Sequence, residues 1–255
     1  MLYSRQAFSL VELAIVLVIL GLLVGGILAG RSLIRASELR AIPQELNRYN
    51  TAIHAFRDRY FGLPGDITNA TKFWGTDANC PGDFSTPSTG SATCDGSGNG
   101  RIEGNTETFR AWQHLANAGL IKGQYTGVNG HASLTNFGIA GQNIPTSKAS
   151  SDCGYGIFYV GPRDSSATGF FEGNYGNPLR FGAGQGIDGG NGRLLGHEAW
   201  NVDTKMDDGM PGKGKLRVGP FNSRPECSDG NDAATAGYQL TSTVRQCHLL
   251  YIIGY

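Results

Sequence analysis

Apolar residues run almost unbroken from Phe8 to Gly30, and from Leu39 onward they recur at Leu39, Ile42, Leu46, Tyr49, Ile53, Phe56 and Tyr60, in alternating steps of three and four. The first stretch has no polar face. Its roughly 23 residues, rising 1.5 Å each, are long enough to cross a hydrocarbon layer of about 30 Å as a helix. The second pattern is one apolar stripe on a helix of 3.6 residues per turn, with Glu45, Arg48, Arg57 and Asp58 read onto other faces. A long helix is therefore predicted, apolar all round in its first half and amphipathic in its second. It ends in Phe61-Gly62-Leu63-Pro64-Gly65-Asp66, where Gly62 can cap it and Pro64 cannot continue it. Gly21, Gly25, Gly26 and Gly30 weaken the first half by about 1 kcal/mol each relative to Ala. Two uses for them stay open, stretching along the axis and close helix packing. Pro43 threatens a kink.

Downstream the pattern changes. A loop-rich region extends to about residue 104, and a second helix is predicted from Asn105 or Thr106 to Ile121, with Phe109, Trp112, Leu115 and Ala116 on one side. Gly156–Val160, Leu216–Val218 and Leu249–Ile253 read as short strands, being rich in β-branched and aromatic residues. Glycine is abundant, at 39 of 255 residues, which suits a loop-rich domain more than a helical bundle. About 225 residues remain beyond the spanning segment, enough for one α+β domain with its own core. The formal net charge is zero and the pI is about 6.9, so no global field draws the chain to nucleic acid, and no nucleic-acid partner is expected.

Within the first apolar run only Glu12 is ionisable. An acid at mid-bilayer costs on the order of 2.5–3.5 kcal/mol and less toward the interface, so Glu12 calls for a partner. A secretory signal has a shorter apolar core and a small-x-small cut, whereas this run ends Ile27-Leu28-Ala29-Gly30. A plain anchor accounts for the length but not for the acid. The segment Ala7-Phe8-Ser9-Leu10-Val11-Glu12, followed by Leu13-Ala14-Ile15-Val16-Leu17-Val18-Ile19-Leu20-Gly21, resembles the N terminus of type IV pilins and type II secretion pseudopilins. That resemblance implies a leader, residues 1–7, removed by a prepilin peptidase between Ala7 and Phe8, with N-methylation of the new Phe8 amine. Ala7 stands where the family usually has Gly. The resemblance also implies that Glu12 meets the Phe8 amine of a neighbouring subunit and sets register. It divides the chain into a membrane or filament-core helix at 8–30, an amphipathic continuation at 31–61, and a globular head at 62–255 built on a loop-rich antiparallel sheet.

Five cysteines, Cys80, Cys94, Cys153, Cys227 and Cys247, follow the apolar segment, in the part it would place in an oxidising compartment. Proximity favours Cys80–Cys94 and Cys227–Cys247 with Cys153 spare, although spacing alone lets Cys153 replace any partner. The second pairing also resembles the C-terminal disulfide-bounded loop of many pilins.

Few motifs carry chemistry. Asp95, Ser97, Asn99, Gly100, Arg101, Ile102 and Glu103 match the opening positions of an EF-hand calcium loop, but the nearest bidentate acid, Glu107, falls one residue late. Asp203, Asp207 and Asp208 gather around a predicted turn and invite either calcium or Lys205 as partner. Structural calcium is the only cofactor suggested. Gly184–Gly189 satisfies G-x-G-x-x-G, yet Gly190-Asn191-Gly192 does not open the helix that dinucleotide binding requires. The histidines show no metal-ligand spacing, no nucleophile elbow or H-E-x-x-H is present, and Trp74, Trp112 and Trp200 read as core residues, with a lectin-like sugar-binding surface as the alternative. No enzyme is expected.

From the resemblance, the expected function is a structural subunit of a type IV pilus or type II secretion pseudopilus. Such a subunit waits as a single-pass protein of the bacterial inner membrane with a periplasmic head, then joins a periplasmic or extracellular filament. Its partners are itself, other pilin-like subunits, the peptidase and the assembly machinery. A minor tip subunit acting as an adhesin, and a membrane-anchored extracytoplasmic enzyme or binding domain, are the alternatives.

Overall fold

A computed structural model describes residues 9–80, 90–130, 137–183, 192–219 and 223–254. Helix α1, Leu10–Tyr60, contains Pro43 and all four early glycines without interruption. The chain divides into two compact units, Met1–Glu38 and Leu39–Tyr255. In the first unit the described apolar side chains cover nothing: Leu10, Leu22 and Leu33 are 89%, 73% and 71% exposed. Its ends carry local polar bonds, Ser32 Oγ to the Ala29 carbonyl and an Arg35–Glu38 ion pair at 3.0 Å.

The second unit has its own core. The later half of α1 buries Ile42, Glu45, Leu46, Tyr49, Ala52, Ile53 and Phe56. Tyr49 meets Trp112 edge-on at 5.1 Å and Tyr155 at 4.9 Å, tying the helix both to a second helix and to the sheet. After α1 come α2 (Ala70–Trp74), α3 (Gly104–Asn117), β1 (Thr146–Ser147), β2 (Ser150–Ile157), β3 (Pro162–Arg163), β4 (Gly173–Asn174), β5 (Leu179–Ala183), α4 (Gly196–Met206), β6 (Leu216–Arg217) and β7 (Leu249–Tyr251). The main sheet has five antiparallel strands in the order β1-β2-β5-β7-β6, and β3 pairs with β4 apart from it. Register places Tyr155 opposite Phe181 and Phe181 opposite Leu249, so a single row of large side chains crosses the sheet toward the core. This is the expected α+β architecture, a long helix with an antiparallel sheet.

Several expectations are corrected. Glu45 lies on the buried face of α1, 4% exposed, because the β1–β2 hairpin supplies three donors for its carboxylate. Gly62 is not the left-handed cap. That conformation falls on Phe61, with φ of 56°, whose N–H bonds the Arg57 carbonyl at 2.8 Å. Gly62 is needed for clearance instead, since a Cβ there would sit 2.5 Å from Ile67 Cγ2. The second helix stops at Asn117 rather than Ile121. Gly119, at φ 71°, bonds back to Ala116 while Leu120 bonds to Leu115, a Schellman closure. Strand β2 begins at Ser150 and ends at Ile157, and β7 ends at Tyr251. Trp200 is 40% exposed rather than in the core.

Candidate functional site

The N-terminal segment begins with a capping box. Ser9 Oγ accepts the Val11 N–H at 3.2 Å, and the Ser9 N–H donates to Glu12 Oε2 at 2.8 Å. Two donors that a helix start leaves open are thereby satisfied, and the carboxylate sits at the positive end of the helix dipole. The S-x-x-E signature was legible in the chain, and it means that Glu12 has a partner of its own before any neighbour arrives. The cleavage pair Ala7 and Phe8 lies outside the described residues.

From Leu10 the helix is long and apolar enough to cross a membrane, with mean hydropathy 2.8 over its most apolar window and none of that window buried. A Cβ built at Gly21, Gly25, Gly26 or Gly30 meets nothing within 4 Å. Among the described residues nothing demands glycine at those positions, which occur as two successive G-x-x-x-G spacings.

The two acidic segments behave differently. In the Asp95–Glu107 loop, oxygens are taken up by hydrogen bonds. Asp95 accepts from the Thr71 N–H at 2.8 Å and Asn99 Oδ1 from the Arg101 N–H at 2.8 Å, while Asn99 Nδ2 donates to Glu103 at 3.1 Å. Glu107, the candidate bidentate ligand, accepts the N–H groups of Ser97 at 2.8 Å and Glu103 at 3.1 Å. At the centre of the loop is a carboxylate that the sequence did not single out. Asp66, 3% exposed, accepts Ser97 Oγ at 3.0 Å and the N–H groups of Asn99 at 3.0 Å and Gly100 at 2.9 Å. Donors converge on Asp66 where an EF-hand reading expected oxygens to converge on a cation.

Asp203, Asp207 and Asp208 do come together, each offering an oxygen within 4.8 Å of the others. Asp203 belongs to helix α4, not to a turn, and is fully buried. Its Oδ2 accepts Tyr238 OH at 2.8 Å, whereas Oδ1 has no hydrogen-bond partner. Burial raises the Asp203 pKa to about 7 against the lowering effect of Tyr238, and the neighbouring Asp208 and Asp207 push it the same way as burial. Asp207 accepts the N–H groups of Lys215 and of Leu216, the latter at 3.0 Å, and Asp208 accepts the Met210 N–H at 2.9 Å. The bonds recorded for the cluster thus come from backbone and Tyr238 rather than from Lys205. Oxygen donors with excess negative charge are the ligand type that a hard cation takes, and these three carboxylates could supply them.

The disulfides form as proximity favoured, Cys80–Cys94 and Cys227–Cys247, with Cα separations of 5.6 and 5.2 Å, and Cys153 is buried outside both bridges. The glycine-rich Gly184–Gly189 lies outside the described residues. Sequence reasoning placed His114 on a helix as an ordinary side chain, and it is fully buried in α3. Its Nδ1 accepts the Gly65 N–H at 3.0 Å, Nε2 lies 2.8 Å from Thr93 Oγ1, and its ring stacks on Phe56. Burial first, and nearby Arg110 second, lower its pKa to about 3.

Compared with known proteins, residues 2–28 match the Prokaryotic N-terminal methylation motif, the signature of type IV pilins and pseudopilins. No curated protein and no solved structure matched the chain.

Proposed function

We propose that this chain, bearing the type IV pilin and pseudopilin N-terminal signature, is a structural subunit of a type IV pilus or a type II secretion pseudopilus. One observation carries the reading: the methylation motif opens a helix whose large apolar side chains from Leu10 to Ile34 are exposed, with none of the described residues covering them. In the bacterial inner membrane lipid covers that surface. In a filament the same surface packs against other copies, the glycines allowing close approach.

Prepilin peptidase cuts between Ala7 and Phe8 in this reading, and the freed Phe8 amine of one subunit pairs with Glu12 of the next. Before assembly Glu12 rests on the Ser9 N–H, which lowers the cost of holding an acid near the membrane. In the filament core an out-of-register subunit leaves a charge unpaired in an apolar setting, so the pair selects register more than it adds stability. The head forms the filament exterior and carries no catalysis, and Asp203, Asp207 and Asp208 hold a structural calcium ion. Glu12→Leu tests the mechanism: membrane insertion and head folding stay intact while filament yield collapses. Filaments formed at the normal yield by that variant would contradict it.

A further inference from the structure

The end of α1 borders a surface cleft of about 660 Å³, lined in part by Arg57, Tyr60, Phe61, Thr68 and Asn69. Phe61 is 92% exposed, and among the described residues it is the only non-glycine with positive φ, at 56°. A phenyl ring in water and a bulky residue in the left-handed region are both unfavourable, and glycine at 61 would remove both costs. The local fold therefore does not explain Phe61. Beside it, Tyr60 is fixed from several sides: Phe56 at 4.5 Å, Phe73 at 5.0 Å, Trp74 at 5.3 Å and the Arg59 guanidinium 5.3 Å from its ring. Phe73 is itself half exposed. Tyr60, which lines the cleft together with Phe61, is thereby anchored against the core.

With Tyr60 and Phe61, the cleft is lined by a guanidinium (Arg57), a hydroxyl (Thr68) and an amide (Asn69). Flat aromatic faces next to a rim of such groups suit a pyranose ring, whose C–H face packs on an aromatic while its equatorial hydroxyls take hydrogen bonds. Single-stranded nucleic acid also stacks on aromatics, but it needs a basic groove, and here the lining carries the acid Asp66 as well as Arg57, in a chain of zero formal net charge. We propose that this cleft is an oligosaccharide-binding site, with Phe61 as its stacking platform and Arg57, Thr68 and Asn69 as its polar rim. The site does not depend on filament assembly.

The test uses the full chain in detergent micelles on an array of chitin, cellulose, sialylated and peptidoglycan oligosaccharides, with Phe61→Gly and Asn69→Ala beside the native protein. The native chain binds at least one class saturably. Phe61→Gly binds at least about tenfold more weakly yet melts about 2 °C higher, because a strained backbone is relieved. Asn69→Ala weakens binding with an unchanged melting midpoint. Absence of binding to every class, or native affinity in Phe61→Gly, overturns the proposal. So does dimerisation of the native chain through Phe61 without sugar binding, which would assign the cleft to a second copy.

Discussion

Glu45 gives the sharpest prediction about how the helix is held on the sheet. Its carboxylate accepts Ser147 Oγ at 2.7 Å, Tyr155 OH at 2.8 Å and the Lys148 N–H at 3.1 Å, all at a site where the residue is 4% exposed. Burial, and Glu45 after it, raise the Tyr155 pKa well above its ordinary value, so that hydroxyl remains a donor across the physiological range. Glu45→Ala strands three donors, and a buried donor left unmet costs about 1–3 kcal/mol, which puts the variant about 3–5 kcal/mol below the native chain once partial access of water is allowed. Glu45→Gln keeps one acceptor oxygen of the right length but loses the charge, and should cost about 1–2 kcal/mol. Urea unfolding of the full chain in detergent, followed by tryptophan fluorescence, reads the change, because Trp112 is fully buried and contacts Tyr49 of the same helix face. A double-mutant cycle with Tyr155→Phe should return a coupling of about 1 kcal/mol. If Glu45→Ala unfolds within about 0.5 kcal/mol of the native chain, the carboxylate does not hold the hairpin, and the reasoning from buried donors is wrong.

Other predictions concern the disulfides, pH and calcium. Replacing both Cys227 and Cys247 by Ser opens a closure with sequence separation 20 and should lower unfolding stability by about 3 kcal/mol in the chain-entropy account; an unchanged urea midpoint would refute that. His114 has a pKa lowered from 6.5 to about 3 in the fold, so its contribution is complete above pH 6.5 and is lost as pH falls toward 3, because only the unfolded chain takes up the proton. His114→Gln should flatten the acid limb of the unfolding free energy plotted against pH, from urea titrations, by about 1.4 kcal/mol per pH unit, and an equally steep limb would exclude His114 as its source. Calcium added to the full chain should raise the melting midpoint, more at pH 8 than at pH 6, because Asp203, with a pKa near 7, must release its proton to bind. The rise should vanish in Asp203→Asn and survive Glu107→Gln, and an unaltered midpoint after chelation would remove calcium from the account.

Periodicity and a local motif were enough for the parts of the molecule governed by near neighbours. The helix through residue 60, the change from an all-apolar to an amphipathic face, the helix in the region of Phe109 to Leu115, the strands β6 and β7 and the N-terminal signature all depend on spacings of a few residues. Both disulfides follow the same logic, since short closures were preferred. Tertiary structure decided what depends on distant partners. Glu45 is buried because donors more than 100 residues away converge on it. Asp66 occupies the middle of the Asp95–Glu107 loop because donors 31 to 34 residues downstream face it. Strand β5 and helix α4 were not read at all. The first is five residues with glycine among them, and the second carries Asp203 inward at a place where charge suggested a solvated turn. A chain states which residues prefer which local geometry, whereas which polar group is buried, and against what, depends on where the fold brings its complement.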